Sequence, residues 1–160
     1  MPGTVTSYTI GFPTDWVKWH VGEGPSREYE LSGKAADGPE AQVLVRHASW
    51  DLMLERAKAF TPQRGFKVFD RAVEVLTLPA GPAIGAVTVL AEHHGRLFGR
   101  PSRPEPVQTC VDITVFPPGS SDVLCLELRT FESDLLDALG DAARVIAQTI
   151  TVGVGPPRDS

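Results

Sequence analysis

Residues Val107–Thr130 read VQTCVDITVFPPGSSDVLCLELRT. Polar and apolar residues alternate on both sides of PPGSSD. In the first run Val107, Thr109, Val111, Ile113 and Val115 share one face, against Gln108, Cys110, Asp112, Thr114 and Phe116 on the other. In the second, Leu124, Leu126 and Leu128 take the inner face. Period two on both sides of a Pro/Gly/Ser turn predicts an antiparallel hairpin with one buried and one polar face. A turn centred near Gly119 or Ser120 sets Cys110 opposite residues close to Arg129 rather than opposite Cys125. The two cysteines are therefore expected to be reduced and unbridged.

Working outward, FKVFDRAVEVLTLPAGPAIGAVTVLAEHH contains two more extended runs around a Pro79–Pro82 turn. On the other side FESDLLDALGDAARVIAQTI has helical spacing. Thr130 or Ser133 suits its cap, and Glu132, Asp134 and Asp137 suit its positive end. Leu135, Leu139, Ala142 and Ile146 form the predicted buried stripe, with Leu136 and Ala143 beside it. TITV then predicts a short closing strand.

Asp37–Phe60 reads as a helix. Asp37 is its N-cap, Glu40 stands at capping-box distance, and Val43, His47, Trp50, Leu54 and Ala57 make a stripe, although VLV at 43–45 also suits a strand. Nearer the N-terminus YTIGF predicts a strand that breaks at Pro13, which has no amide proton to donate. WVKWHV then resumes, with Val17, Trp19 and Val21 on one face and Trp16, Lys18 and His20 on the other. Residues 22–36 read mostly as turn and loop, with REYEL a short extended piece. The class is α+β: a mostly antiparallel sheet flanked by helices. One domain is expected over 8–152, with loose ends at 1–7 and 153–160.

The chain has 160 residues, 42% hydrophobic and 22% charged, with a net charge of −5. That is the composition of an ordinary globular domain. The acidic balance argues against a duplex nucleic acid partner, which needs a basic face. No run approaches the ~18 apolar residues of a membrane span. MPGTVTSYTI lacks a basic segment followed by an apolar one, so the expected location is cytoplasmic.

Taken together, the FPTDW corner, the middle helix, the VLTLPAGPA hairpin, the VDITVFPPGSSDVLCLELRT pair and a closing helix ending in IAQTITV resemble the PsbP-like α/β/α sandwich family, its uncharacterised bacterial members in particular. The likeness spans residues 1–152 with gaps and is carried mainly by 107–152. It implies an α/β/α sandwich and a binding or scaffold role rather than catalysis. It supplies no catalytic motif to carry over onto these residues.

The residues themselves add little chemistry. His93 and His94 are neighbours on an extended run and point to opposite faces, so they do not share a metal. Cys110 and Cys125 form no CxxC pattern. Pro82 removes an amide that a phosphate cradle would use, and no GK[ST] follows. Asp112 and Glu127 lie on the polar face of neighbouring strands; they admit a paired-acid reading beside the plainer one of surface carboxylates. No cofactor, metal or catalytic set is assigned. Two features suit a partner surface: the loop GRLFGRPSRPEP (95–106), with Arg96, Arg100 and Arg103 around Leu97 and Phe98, and Trp16. The expected function is a non-enzymatic protein-binding or adaptor module, an accessory subunit of a larger assembly. The alternative is a small-ligand binder or enzyme with a pocket between sheet and helices.

Overall fold

The structure, a computed structural model, describes residues 2–11, 16–23, 29–35, 40–62, 64–92, 106–131 and 138–157. The hairpin that decides the sheet is present as β7 (Pro106–Val115) and β8 (Asp122–Thr130). Its register is the one the turn dictates: Cys110 stands opposite Arg129, and Cys125 opposite Thr114. Gly119 takes a left-handed φ of 77° in the connection, which glycine adopts without a Cβ clash.

The Pro79–Pro82 turn joins β5 (Phe66–Leu78) to β6 (Gly81–Glu92), with Leu78 paired to Gly81. Gly81 has φ 143°, and a Cβ there would sit 2.4 Å from the carbonyl oxygen of Phe116. Only glycine admits that close approach of two strand ends.

The predicted helix over 37–60 is corrected. Its first half is β4 (Glu40–His47), and only its second half is helical, as α1 (Trp50–Lys58). Asp37 lies outside the described residues, and the N-cap is Ser49, whose hydroxyl accepts from the Leu52 amide. The stretch carried two periods at once. Ala41, Val43 and Val45 alternate, and all three are buried in pairing with Leu128, Leu126 and Leu124 of β8. A ladder slot beside an apolar strand outweighs a helical stripe that buries nothing fully.

β2 (Trp16–Glu23) and β3 (Tyr29–Ala35) complete a seven-stranded antiparallel sheet of order β2-β3-β4-β8-β7-β6-β5. The reading of 22–36 as mostly loop is thus corrected over 29–35. In β2 the register shifts between Lys18 and His20, so pairing does not carry period two through Trp19. The strands do not all follow in sequence. The chain leaves β4 through α1 and re-enters at the far edge as β5, then returns inward to meet β4 at β8.

The expected loose ends are corrected too. β1 (Thr4–Thr9) pairs with β9 (Thr151–Gly155) in a separate antiparallel ribbon. The ribbon is anchored to the main sheet: the Gly3 amide donates to the Gly119 carbonyl at 2.7 Å, and the Val5 amide donates to Asp122 Oδ2 at 3.1 Å. The corner at 12–15 lies outside the described residues.

α2 (Ala138–Gln148) covers one sheet face. Leu139, Ala143, Ile146 and Ala147 pack with Val111, Ile113, Leu126 and Val43 in one core cluster. The buried stripe runs through Ala143 rather than Ala142, which is only half-buried. The opposite face carries α1. Trp50 meets Phe116 with ring centroids 4.8 Å apart, and Arg71 Nη2 of β5 donates to the Ala57 carbonyl at 2.7 Å. The fold is therefore a mostly antiparallel sheet with, among the described residues, one helix on each face.

Candidate functional site

Alternation along five strands brings polar side chains together on the face that carries α1. Asp112 of β7 stands directly opposite Glu127 of β8, and Gln42 of β4 flanks Glu127 on its other side. One pleat along, Arg129, Cys110, Thr88 and Arg71 follow one another across β8, β7, β6 and β5. Directly opposed residues on one face have Cβ atoms about 4.5–5.5 Å apart, close enough for the two carboxyl groups to interact.

Asp112 pays for this placement in charge. Burial, and then the Glu127 carboxylate, push its carboxyl up to about 6; Arg71 and Arg129 offset part of the rise. The Cys110 thiol is pushed up to about 11, first by burial and then by Asp112 and Glu127. Gln108 Nε2 donates to Cys110 Sγ at 3.2 Å. Burial holds the Arg71 guanidinium below its usual value, against the pull of Asp112. Arg71 is fixed from three sides: it donates to Thr88 Oγ1 and to the Ala57 carbonyl, and its guanidinium lies 4.2 Å from the centroid of the Phe60 ring. Arg129 approaches Glu127 at 3.7 Å, while its Nε is buried without a partner.

Asp112 and Glu127 were visible in the sequence as opposed acids. Arg71 and Thr88 were not, because nothing local marks which residue of β6 lands beside which residue of β7. Neither cysteine forms a disulfide. Thiol titration of the freshly purified, denatured monomer should count two thiols, and a count of zero would refute the hairpin register. Among the described residues no group of three or more His, Cys, Asp or Glu side chains is arranged to hold a metal ion. None of the described helices is long and apolar enough to cross a membrane.

The other face holds a small cleft of about 120 Å³ between β5, β6, β7 and α2. Val87, Val111, Ile113 and Ala143 form its wall, and Arg144 Nη2 meets Glu74 Oε1 across its rim at 3.1 Å. Gly140 opens onto it: a Cβ built there has no neighbour within 4 Å. Gly140→Ala should therefore gain about 1 kcal/mol from helix propensity alone. A chemical-denaturation midpoint that fails to rise would show that the glycine serves packing.

Arg96, Leu97, Phe98, Arg100 and Arg103 lie outside the described residues, as do His93 and His94. The described ends of that loop are Glu92 and Pro106, at the end of the sheet where Phe66 begins β5. Trp16 begins β2, the opposite edge of the sheet, in register with Ala35. The sequence reading missed the exposed Phe60, Val68, Phe69 and Phe131. By register Val68, paired with Leu90, and Phe131, which follows Thr130 opposite Thr109, lie toward the end of the sheet where β6 ends and β7 begins; Phe69 adjoins Val68, and Phe60 lies against Arg71.

Comparison of the sequence with protein-family models finds no match, and comparison with curated proteins finds none. Among solved structures, the crystal structure of LpqN, involved in cell envelope biogenesis of Mycobacterium tuberculosis, superposes with a TM-score of 0.57. The fold resembles that of LpqN. The likeness covers 95% of this chain and 86% of that one at 19% sequence identity, so it is a likeness of architecture.

Proposed function

We propose that this chain is a non-enzymatic protein-binding or adaptor module of PsbP-like type, an accessory subunit of a larger assembly. The observation that supports this is the exposed apolar set Val68, Phe69 and Phe131, toward the end of the sheet where β6 ends and β7 begins, with Phe60 against Arg71. Exposed aromatic residues in one region mark association surfaces more often than isolated ones do. The likeness to LpqN, which is involved in cell envelope biogenesis, is compatible with an accessory role. The cytoplasm is the proposed compartment, where two cysteines left unbridged are the ordinary state.

The proposed contact is Arg96, Leu97, Phe98, Arg100 and Arg103, with Trp16 as a second candidate. Replacing Phe98, Arg96 and Arg100 with alanine should leave the melting curve nearly unchanged and abolish recovery of the partner in affinity capture from native cells. A collapse in stability would instead assign Phe98 to the core. Persistence of both stability and recovery would shift attention to Trp16.

A second reading, a small-ligand binder, is favoured by the cleft beneath α2. In that case Gly140→Leu, which fills the cleft, should abolish uptake of a small apolar probe without unfolding the protein. Unchanged uptake would remove the cleft from consideration.

A further inference from the structure

The segment Arg56–Phe69 reads RAKAFTPQRGFKVF. It carries Arg56, Lys58, Arg64 and Lys67 and no acidic residue, in a chain whose net charge is −5. All four cations are exposed, and none makes an ion pair with another described residue. They lie on two consecutive elements that meet at the start of β5. The end of α1 is tied down to β5 by the hydrogen bond from Arg71 to Ala57 and by the Arg71–Phe60 contact. Lys67 lies in β5 itself, and Arg64 lies in the turn that enters it.

β5 is an edge strand of the seven-stranded sheet. It runs for 13 residues and pairs through β6 on one side only. Its other side presents backbone donors and acceptors with no strand partner among the described residues. Natural edges are usually short, charged throughout or covered. Here the charge is confined mostly to the first half, and the second half, AVEVLTL at 72–78, has Glu74 as its only charged residue. Val75 is 61% exposed and Phe69 53% exposed. The register shift between Val68 and Asp70 leaves Asp70–Leu78 as an unbroken nine-residue ladder. Apolar side chains on an open ladder, preceded by exposed cations, are the parts of a strand-addition site for a segment of opposite charge.

Resting on the protein-partner reading above, we propose that the β5 edge receives an extended acidic segment of the partner as an eighth strand. The ladder of Asp70–Leu78 supplies the main-chain hydrogen bonds. Val75 and Phe69 supply apolar contact, and Arg56, Lys58, Arg64 and Lys67 supply charge complementarity and orientation. An anionic membrane surface or a second copy of this chain would use parts of the same edge but not all of them.

The test uses the full chain and a fluorescent twelve-residue peptide of alternating Glu and Val, with binding read by anisotropy at several salt concentrations. Binding should weaken as salt rises, and Arg64→Glu/Lys67→Glu should weaken it about tenfold or more. Ala72→Pro and Val75→Pro separate strand addition from plain attraction. Their amides point to opposite sides of the strand, so one proline keeps the β6 ladder and the wild-type melting temperature. That variant should lose the peptide while keeping all its cations.

Equal binding by the charge-reversed chain, or by the proline variant with intact stability, would overturn the proposal. So would binding to vesicles containing phosphatidylserine without binding to the peptide, or a dimer in sedimentation that the proline variant abolishes in the absence of peptide. If the peptide fails while the native partner is still recovered by the wild-type chain, only the strand-addition inference falls. If neither is recovered, the adaptor reading falls with it.

Discussion

Leu126→Ala should lower the melting temperature by about 10 °C. Leu126 lies at the middle of β8, 1% exposed, with Val43 opposite on one side and Ile113 opposite on the other. All three belong to the core cluster that α2 closes with Leu139, Ala143 and Ile146. Removing a leucine from such a site loses its transfer free energy and leaves a cavity that two hydrogen-bonded neighbouring strands cannot collapse. Leu-to-Ala changes of this kind cost about 2–5 kcal/mol, and for a domain of this size each kcal/mol shifts the midpoint by about 2–4 °C. Leu52→Ala is the control. Leu52 is exposed on α1, and its loss should stay within about 0.5 kcal/mol. Thermal unfolding followed by circular dichroism compares the two. Equal effects would show that the sheet core is not centred on β8.

Asp112→Asn should make the protein more stable at pH 7. The folded-state pKa of about 6 lies above the ordinary 3.8, chiefly because burial disfavours the charge. Between about pH 4 and pH 6 the folded chain therefore holds more protons than the unfolded chain, and stability falls as pH rises through that window. Above it the penalty is constant. A shift of about two units corresponds to at most about 3 kcal/mol, and the lost attraction to Arg71 and Arg129 reduces what asparagine recovers. The expected gain is about 1–2 kcal/mol at pH 7, shrinking as pH falls through 6 and 5 and vanishing below about pH 4, where the aspartate becomes neutral in both states. Urea titrations at pH 4, 5, 6 and 7 measure this. A gain of the same size at every pH would assign the effect to packing, and a loss at pH 7 would mean that the two arginines hold the carboxylate after all.

An acid that opposes folding at neutral pH, set against a second acid and between two arginines, is the arrangement in which polar function is commonly found. Reading it from sequence required only the alternation of 107–130, which placed Asp112 and Glu127 on one face in opposed strands. The arginine and threonine that complete the row come from β5 and β6. The β5–β6 turn sets Arg71 opposite Thr88, but the register of β6 on β7 is set across the connection between Glu92 and Pro106, and no local pattern announces it.

The sequence by itself determined the hairpins, because a period of two around a Pro/Gly turn leaves one register that buries the apolar face. It also determined the closing helix and the short strand after it. Only the tertiary structure decided Ala41–Val45, where helical and extended periods coexist. The slot beside β8 offered both hydrogen bonds and three apolar partners, and a helix there would have offered one weak stripe. Only the tertiary structure joined the chain ends as β1 and β9, since TVTSYT and TVGVG are too short and polar to form a stable pair until Gly3 and Val5 are anchored beside Gly119 and Asp122. And only the tertiary structure made β5 an edge. Edge and centre are properties of strand order, and the order followed from where α1 carried the chain.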